Sequence, residues 1–201
     1  MPGVNDTDRN DGNPPEVVEQ LRIRDARPDE YGAIADVTLA AYRQYAAVMP
    51  AAAWEGYAQN IVTTITQEEA LQRIVAEIDG RMVGSVLYFT AEVSPFGVPM
   101  VRLLAVAPAA RGQGVGTALM HEGLRRARVA GATSLVLHTT VLMDIARRMY
   151  EHMGFVRAPE LDFRVDEQTG AVSAVEPGAH TREAAPIVMG YRLDLTASPS
   201  P

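Results

Sequence analysis

Cysteine is absent from the 201-residue chain. Its absence excludes disulfide bonds, thiolate metal sites and a cysteine acyl-enzyme. Apolar runs of about 18 residues, the length of a membrane-spanning helix, are absent as well. The N-terminal segment is polar and proline-bearing, without the basic start and apolar stretch of a secretion signal. These absences favour a cytoplasmic protein with no membrane partner.

Positive charge is also scarce, because 18 Lys and Arg against 25 Asp and Glu give a formal net charge of −7. This balance argues against a nucleic-acid partner and mildly favours cationic substrates. The four histidines are scattered without an i,i+4 pair, so no metal site is predicted. The length suits one domain. We expect that domain over 18–195, with disordered tails at 1–17 and 196–201.

The order of the segments predicts an α/β (α+β) fold. Hairpins come first, one of them marked by Asp79-Gly80, and strand–helix–strand units follow. This order gives a mixed sheet with helices on both faces. Residues 164–186 are polar, and we expect a long loop or a flexible hairpin there. The sharpest element predictions are strands at Met100–Val106 and Ser134–Thr139 and helices at Gly114–Ala130 and Met143–Met153.

The most informative segment is 103–120, LLAVAPAARGQGVGTALM, which reads as a strand, a basic glycine-rich turn and a helix. Gly112, Gly114 and Gly116 remove side chains where several backbone N–H groups can converge. A helix N-terminus carries unpaired N–H donors and partial positive charge, and Arg111 adds a formal charge. The segment therefore predicts a phosphate site.

Glycine spacing discriminates between the known phosphate loops. A dinucleotide fingerprint, G-x-G-x-x-G, would need glycine where Thr117 stands, and a P-loop would need a lysine that is absent nearby. What remains is R-x-x-G-x-G, formed by Arg111, Gly114 and Gly116 after a strand that ends in Val-x-Pro. This pattern resembles the acyl-CoA loop of the GNAT superfamily of N-acyltransferases.

The resemblance implies a GNAT-like, mostly antiparallel sheet of about seven strands. It also implies that the loop amides hold the coenzyme A pyrophosphate and that the preceding strand pairs with the pantetheine arm. The co-substrate is then acetyl-CoA, without a metal. The cofactor-binding residues it implies are Leu104, Ala105, Val106, Arg111, Gly112, Gln113, Gly114, Val115, Gly116 and Thr117.

A second segment, 135–157, matches the family's other signature, an alanine, a tyrosine four residues later and then Gly-Phe. Here these are Ala146, Tyr150 and Gly154-Phe155, and the first two share a helix face. The resemblance implies that Tyr150 protonates the departing thiolate. A tyrosine packed in the core with its hydroxyl at the surface is the alternative reading.

Two positions depart from the family's pattern. Met143 stands where many members have an asparagine that helps to hold the cofactor. Arg102 stands where many have an acidic residue, so the usual general base is missing. His138 is our candidate instead, because it faces away from the apolar residues of its strand and its ordinary pKa is about 6.5. A hydrogen-bonded histidine at a strand end is the alternative, and Glu92 acting through a water is another candidate base.

Aromatic residues gather where family members build the acceptor pocket, and they suggest an amine with some apolar body. Aromatic side chains at helical spacing can equally pack in the hydrophobic core. These residues are Tyr42, Tyr45, Trp54 and Tyr57.

The sequence thus predicts an acetyl-CoA-dependent N-acetyltransferase that transfers the acetyl group directly, within a ternary complex, to a primary amine. The acceptor, a small molecule or a peptide, is not identified, and a homodimer is left open. A catalytically degenerate domain that senses acyl-CoA is the alternative that Met143 and Arg102 favour. An unrelated nucleotide-binding α/β protein disagrees with the glycine spacing.

Overall fold

The computed structural model describes residues 21–165, 172–174 and 187–196. The strands are β1 (Leu21–Asp25), β2 (Gln72–Ile78), β3 (Arg81–Phe89), β4 (Met100–Val106), β5 (Ser134–Thr139), β6 (Val156–Arg157), β7 (Phe163–Val165), β8 (Val172–Ala174) and β9 (Ile187–Asp194). The helices are α1 (Tyr31–Tyr42), α2 (Ala51–Gln67), α3 (Val115–Val129) and α4 (Asp144–His152).

One mixed sheet runs through these elements in the order β1-β2-β3-β4-β5-β9-β7-β8, with β6 also beside β9. Only β4 and β5 pair in parallel among the described strands. The mixed, mostly antiparallel sheet is therefore confirmed. Asp79 and Gly80 have φ of 50° and 74°, the positive values that a tight two-residue hairpin requires, and they join β2 to β3.

The strand number differs from the prediction, since the described part of the chain has nine strands instead of about seven. The difference lies in the segment 164–186, which we expected to be a loop or hairpin. There β7 and β8 pair with each other, and β7 also pairs with β9. Strands of three residues are too short to show a period in sequence. The rest of that segment, the predicted 1–17 tail and residues 197–201 lie outside the described residues.

Helices cover both faces of the sheet, as predicted. On one face, α3 and α4 pack through Leu119, Met120 and Tyr150. On the other face, α1 and α2 pack through Ile34 and Ile61. We call these the α3/α4 face and the α1/α2 face. None of the helices in the described residues combines the length and the apolar character needed to cross a membrane.

Candidate active site

The parallel strands β4 and β5 separate soon after they begin. They pair only at Met100 with Val136 and at Val101 with Leu137. Beyond this point β4 keeps its pairing with β3 on one edge, whereas its other edge has no partner strand among the described residues. The result is a gap between the carboxyl ends of the two strands, where ligands bind in open α/β sheets.

A β-bulge shapes the β4 side of the gap. Ser85 pairs with Ala105 and Leu87 with Arg102, so two residues of β4 oppose one residue of β3. Leu103, inside the bulge, has φ of 50°, an uncommon value for a leucine. Because of the extra residue, Arg102 and Leu103 are both directed to the α1/α2 face: Leu103 packs in that core, and Arg102 lies over Phe89. This bulge was not predicted from the sequence.

Close packing at Gly84 supports the bulge and the start of α3. A Cβ at this position would lie 2.8 Å from the carbonyl oxygen of Ala105 and 3.0 Å from Cγ1 of Val115. Only glycine therefore lets β3, β4 and α3 approach this closely.

Replacing Gly84 by alanine should destabilise the protein by about 1–3 kcal/mol, because a backbone oxygen cannot move aside as a flexible side chain can. Urea unfolding measures the change. Gly56→Ala is the matched control, since a Cβ there meets nothing within 4 Å and α2 should gain up to about 1 kcal/mol. Equal stability of the Gly84→Ala variant and the wild type would contradict the packing role.

The glycine-rich turn ends in a helix N-terminus without a side-chain cap. Gly112 and Gly114 both have φ of 77°, and α3 begins directly after Gly114. The first helical hydrogen bond runs from Ala118 N–H to the Gly114 carbonyl at 2.9 Å. The N–H groups of Val115 and Gly116, at the start of α3, therefore have no acceptor inside the helix. Free amides and the positive end of the helix dipole make this turn a site for an anion.

The Arg111 side chain is not a free charge beside the loop, as expected from the sequence, but is hydrogen-bonded to other residues. Its guanidinium donates to the Ala41 carbonyl at 3.0 Å and to Oε1 of Gln44 at 3.3 Å. The Ala41 carbonyl lies at the carboxyl end of α1, where a cation is favoured by the helix dipole, and Gln44 follows shortly after that helix. The side chain thus ties the turn to α1, and the backbone amides are the donors that remain for a ligand.

Tyr150 lies where the two core faces meet. It is 6% exposed and packs edge to face on Phe155, with ring centroids 6.0 Å apart, on the α3/α4 face. Burial raises the pKa of its phenol, and the nearby Tyr45 and Tyr57, which pack on the α1/α2 face, raise that pKa further. The ring of Tyr150 thus packs on one face, and its hydroxyl lies near enough to the other face for Tyr45 and Tyr57 to affect its pKa. This arrangement places Tyr150 at the gap.

His138 lies on β5 beside the gap and faces the α1/α2 face. Its ring is held between Phe96 and Phe163, at centroid distances of 5.1 and 5.0 Å. Its Nε2 lies 2.9 Å from the carbonyl oxygen of Leu161, an atom that only accepts, so Nε2 carries the hydrogen and Nδ1 is the basic nitrogen. Burial lowers the pKa of His138, and the charge of Arg102 lowers it further, against the raising effects of the Leu161 bond and of the Asp162 carboxylate.

The predicted aromatic group forms one contiguous wall on the α1/α2 face. The Tyr42 ring lies 5.8 Å from Tyr45 and 6.0 Å from Tyr57, and Trp54 lies 6.4 Å from Tyr57. The Tyr42 hydroxyl donates to the Leu104 carbonyl at 3.3 Å, which joins the wall to the bulged strand. Burial raises the pKa of Tyr57 to about 12, so its phenol is neutral at pH 7.

Other candidates lie elsewhere. Glu92 is exposed, and its hydrogen bond with Thr90 lowers its pKa. Its charge acts on Tyr88, which packs on the α3/α4 face, so Glu92 fits a solvated carboxylate better than a base in the gap. Met143 packs toward the α1/α2 core at the start of α4. No group of three metal-ligating side chains occurs in the described part of the chain.

The gap and turn fit an acyl-CoA in three ways. Bare amides at the start of α3 suit a pyrophosphate, and the unpaired edge of β4 suits an arm that contains amides. The buried hydroxyls of Thr139 and Thr140, at the end of β5, have no hydrogen-bond partner among the described residues. Buried polar atoms without partners are unfavourable, so a polar ligand here would stabilise them. These two threonines were not predicted as site residues from the sequence.

Comparisons with known proteins agree with this geometry. Rat N-acetyltransferase 8 is 38% identical over 88 residues, 43% of this chain and 40% of the relative. The L-2,4-diaminobutyric acid acetyltransferase of Nocardia farcinica is 44% identical over 71 residues, 35% of each chain. The chain therefore matches less than half the length of these curated relatives.

A similar fold occurs in a solved structure from Salmonella typhimurium that contains its cofactor acetyl-CoA. The superposition covers 90% of this chain and 98% of that chain, with a TM-score of 0.56 and 17% sequence identity. At this identity the likeness shows the fold alone. The model of the acetyltransferase (GNAT) family matches residues 32–155, which contain the glycine-rich turn, β5 and Tyr150. This match spans more than half of the sequence, and the chain belongs to the acetyltransferase (GNAT) family.

Proposed function

We propose that the protein is an acetyl-CoA-dependent N-acetyltransferase that transfers the acetyl group directly to a primary amine in a ternary complex. The observation that carries this proposal is the gap between β4 and β5. It has uncapped amides of α3 near the end of β4, and the buried Tyr150 phenol and the neutral imidazole of His138 lie beside it.

In this proposal the backbone positions the donor. N–H groups of residues 112–117 hold the pyrophosphate, and the free edge of β4 at Leu104–Val106 aligns the pantetheine arm. Acetyl-CoA supplies the activated thioester when bound. Arg111 acts indirectly, because its bonds to α1 keep the turn in place.

Tyr150 is proposed as the proton donor to the departing thiolate. Its raised pKa keeps it protonated at neutral pH. In water, the thiolate of a thiol with a pKa of about 8.5 is a weaker base than a tyrosine phenolate. Desolvation at the gap, however, disfavours the thiolate just as it disfavours the phenolate. The two anions are therefore raised in free energy together, and proton transfer to sulfur remains accessible.

His138 is proposed as the base that takes the proton from the acceptor amine. A free alkylamine has a pKa of about 10.4, so it is almost entirely protonated at pH 7 and must lose a proton before it attacks. The lowered pKa of His138 leaves its Nδ1 unprotonated at neutral pH. The aromatic wall of Tyr42, Tyr57 and their neighbours offers a surface for the apolar part of the acceptor.

The proposal is tested by incubating the protein with acetyl-CoA and a panel of primary amines. Release of coenzyme A is followed with a thiol reagent, and the products are identified by mass spectrometry. An N-acetylated amine supports the proposal. Acetyl-CoA binding without release of coenzyme A for any amine would contradict it and would favour the sensor that Met143 and Arg102 suggested.

The base assignment predicts an acidic limb in the pH profile of kcat/KM. Because burial lowers the pKa of His138, the limb should rise with pH and have its midpoint below about 6.5. His138→Gln keeps a donor for the Leu161 carbonyl but cannot titrate. We expect it to remove the limb and to lower the rate at pH 7 about 100-fold, with less loss at high pH, where the amine deprotonates itself. Superimposable profiles would exclude His138 as the base.

A further inference from the structure

The gap contains a cation without a counterion. Arg102 is exposed, and no carboxylate lies within ion-pair distance of it in residues 21–165, 172–174 and 187–196. Several other arginines differ from it, since Arg24, Arg126 and Arg147 are each paired with acidic residues. An unpaired guanidinium beside a proposed active site is free to bind a ligand.

The register of β4 against β3 determines where this charge lies. Arg102 pairs with Leu87, which packs on the α1/α2 face, so the Arg102 side chain lies on that face, with its guanidinium carbon 5.9 Å from the centroid of the Phe89 ring. Its charge acts on the side chains of His138, Tyr42 and Tyr57, the proposed base and two members of the aromatic wall. Arg102 is thus on the acceptor side of the gap, away from the anion site at the start of α3.

A fixed positive charge at this point selects against acceptors that are only cationic. A simple ammonium or a polyamine would meet the charge of Arg102, whereas the nearby Asp162 carboxylate is already paired with Arg157. An acceptor with a carboxylate next to its amine would neutralise the guanidinium through two parallel N–H···O bonds, a geometry that arginine favours. Arg102 would also favour the neutral form of the neighbouring amine, because like charges lower an amine's pKa.

We propose that Arg102 binds a carboxylate of the acceptor, so that the substrates are amino acids or related small carboxylated amines. This inference rests on the proposed N-acetyltransferase function. The net charge of the chain favours cationic ligands in general, whereas the local charge in the gap specifies a zwitterion. An apolar or aromatic substituent on the acceptor has the wall of Tyr42, Trp54 and Tyr57 to pack against.

The test compares each of the twenty L-amino acids with its carboxamide, which keeps the amine and side chain and also resembles a peptide N-terminus. We expect kcat/KM for the best amino acid to exceed that of its carboxamide about 10- to 100-fold. Arg102→Gln should abolish this preference, measured as the ratio of the two kcat/KM values within the variant, and Arg102→Lys should restore part of it. Arg128→Gln, at an exposed site on α3, removes the same charge and should keep the preference.

A second measurement does not depend on turnover. Calorimetry with coenzyme A present compares the N-acetyl-L-amino acids with their N-acetyl carboxamides on wild type and Arg102→Gln. Tighter binding of the acids than of the carboxamides, lost in Arg102→Gln, supports the carboxylate site. If this result is obtained but no acceptor is acetylated, the carboxylate site stands and the proposed N-acetyltransferase function fails. Equal binding and equal rates for acids and carboxamides, or a preference that survives in Arg102→Gln, would overturn the inference.

Discussion

Replacing Tyr150 by phenylalanine should lower kcat about 10²- to 10⁴-fold and leave the affinity for acetyl-CoA unchanged. The variant keeps the ring that packs on Phe155 and removes only the hydroxyl and its proton. That hydroxyl donates to no described residue, so its removal leaves no partner unsatisfied. The loss should therefore fall on the chemical step and not on folding or binding.

Three measurements separate these effects: steady-state kinetics, calorimetry with acetyl-CoA, and urea unfolding. Tyr88→Phe is the matched control, because Tyr88 is 2% exposed and its buried hydroxyl also has no hydrogen-bond partner among the described residues, yet it packs on the α3/α4 face, opposite the aromatic wall. We expect its turnover to equal that of the wild type. Wild-type turnover in Tyr150→Phe would instead make Tyr150 a packing residue.

Replacing Gly114 by aspartate should weaken acetyl-CoA binding about 100-fold or more, because a carboxylate would stand where the pyrophosphate is proposed to bind. Position 114 is open, with no atom within 4 Å of an added Cβ, so steric overlap does not explain a loss. Aspartate also tolerates the positive φ of 77° better than most side chains do.

Gly131 is the matched control for this experiment. It follows the opposite end of α3, has φ of 69°, and is equally open. Gly131→Asp therefore introduces the same side chain and a similar backbone strain far from the turn, and we expect near-normal affinity. Gly114→Asn separates charge from size and should lose less than Gly114→Asp. Unchanged affinity in a folded Gly114→Asp variant would refute the phosphate assignment.

Local patterns in the sequence predicted several elements well. The expected helix at Gly114–Ala130 is α3, Val115–Val129, and the expected strands Met100–Val106 and Ser134–Thr139 are β4 and β5. These predictions succeeded because glycine spacing, proline position and apolar period act over a few residues. The GNAT resemblance rested on the same short-range signals, and the family match confirms it.

Predictions that depended on distant partners fared less well. The hairpin of β7 and β8 was one of the two expectations for the segment 164–186, but the sequence could not show that it joins the sheet, because β7 is three residues long and pairs with β9 later in the chain. It also could not show that Arg111 binds the carboxyl end of α1, about 70 residues away. The catalytic roles of Tyr150 and His138 stay predictions until the variants are measured.

The glycine-rich turn, the start of α3 and the family signature around Tyr150 follow from residue types at fixed spacing, and they were available from the sequence alone. The environment of the site was not. The bulge at Leu103 depends on pairing with β3, and the same pairing places Arg102 over Phe89 on the acceptor side. The lowered pKa of His138 depends on burial and on Arg102, which together outweigh the raising effect of the Leu161 carbonyl. Hydrogen-bond register and desolvation are properties of residues far apart in the chain, so only the folded molecule brings them together.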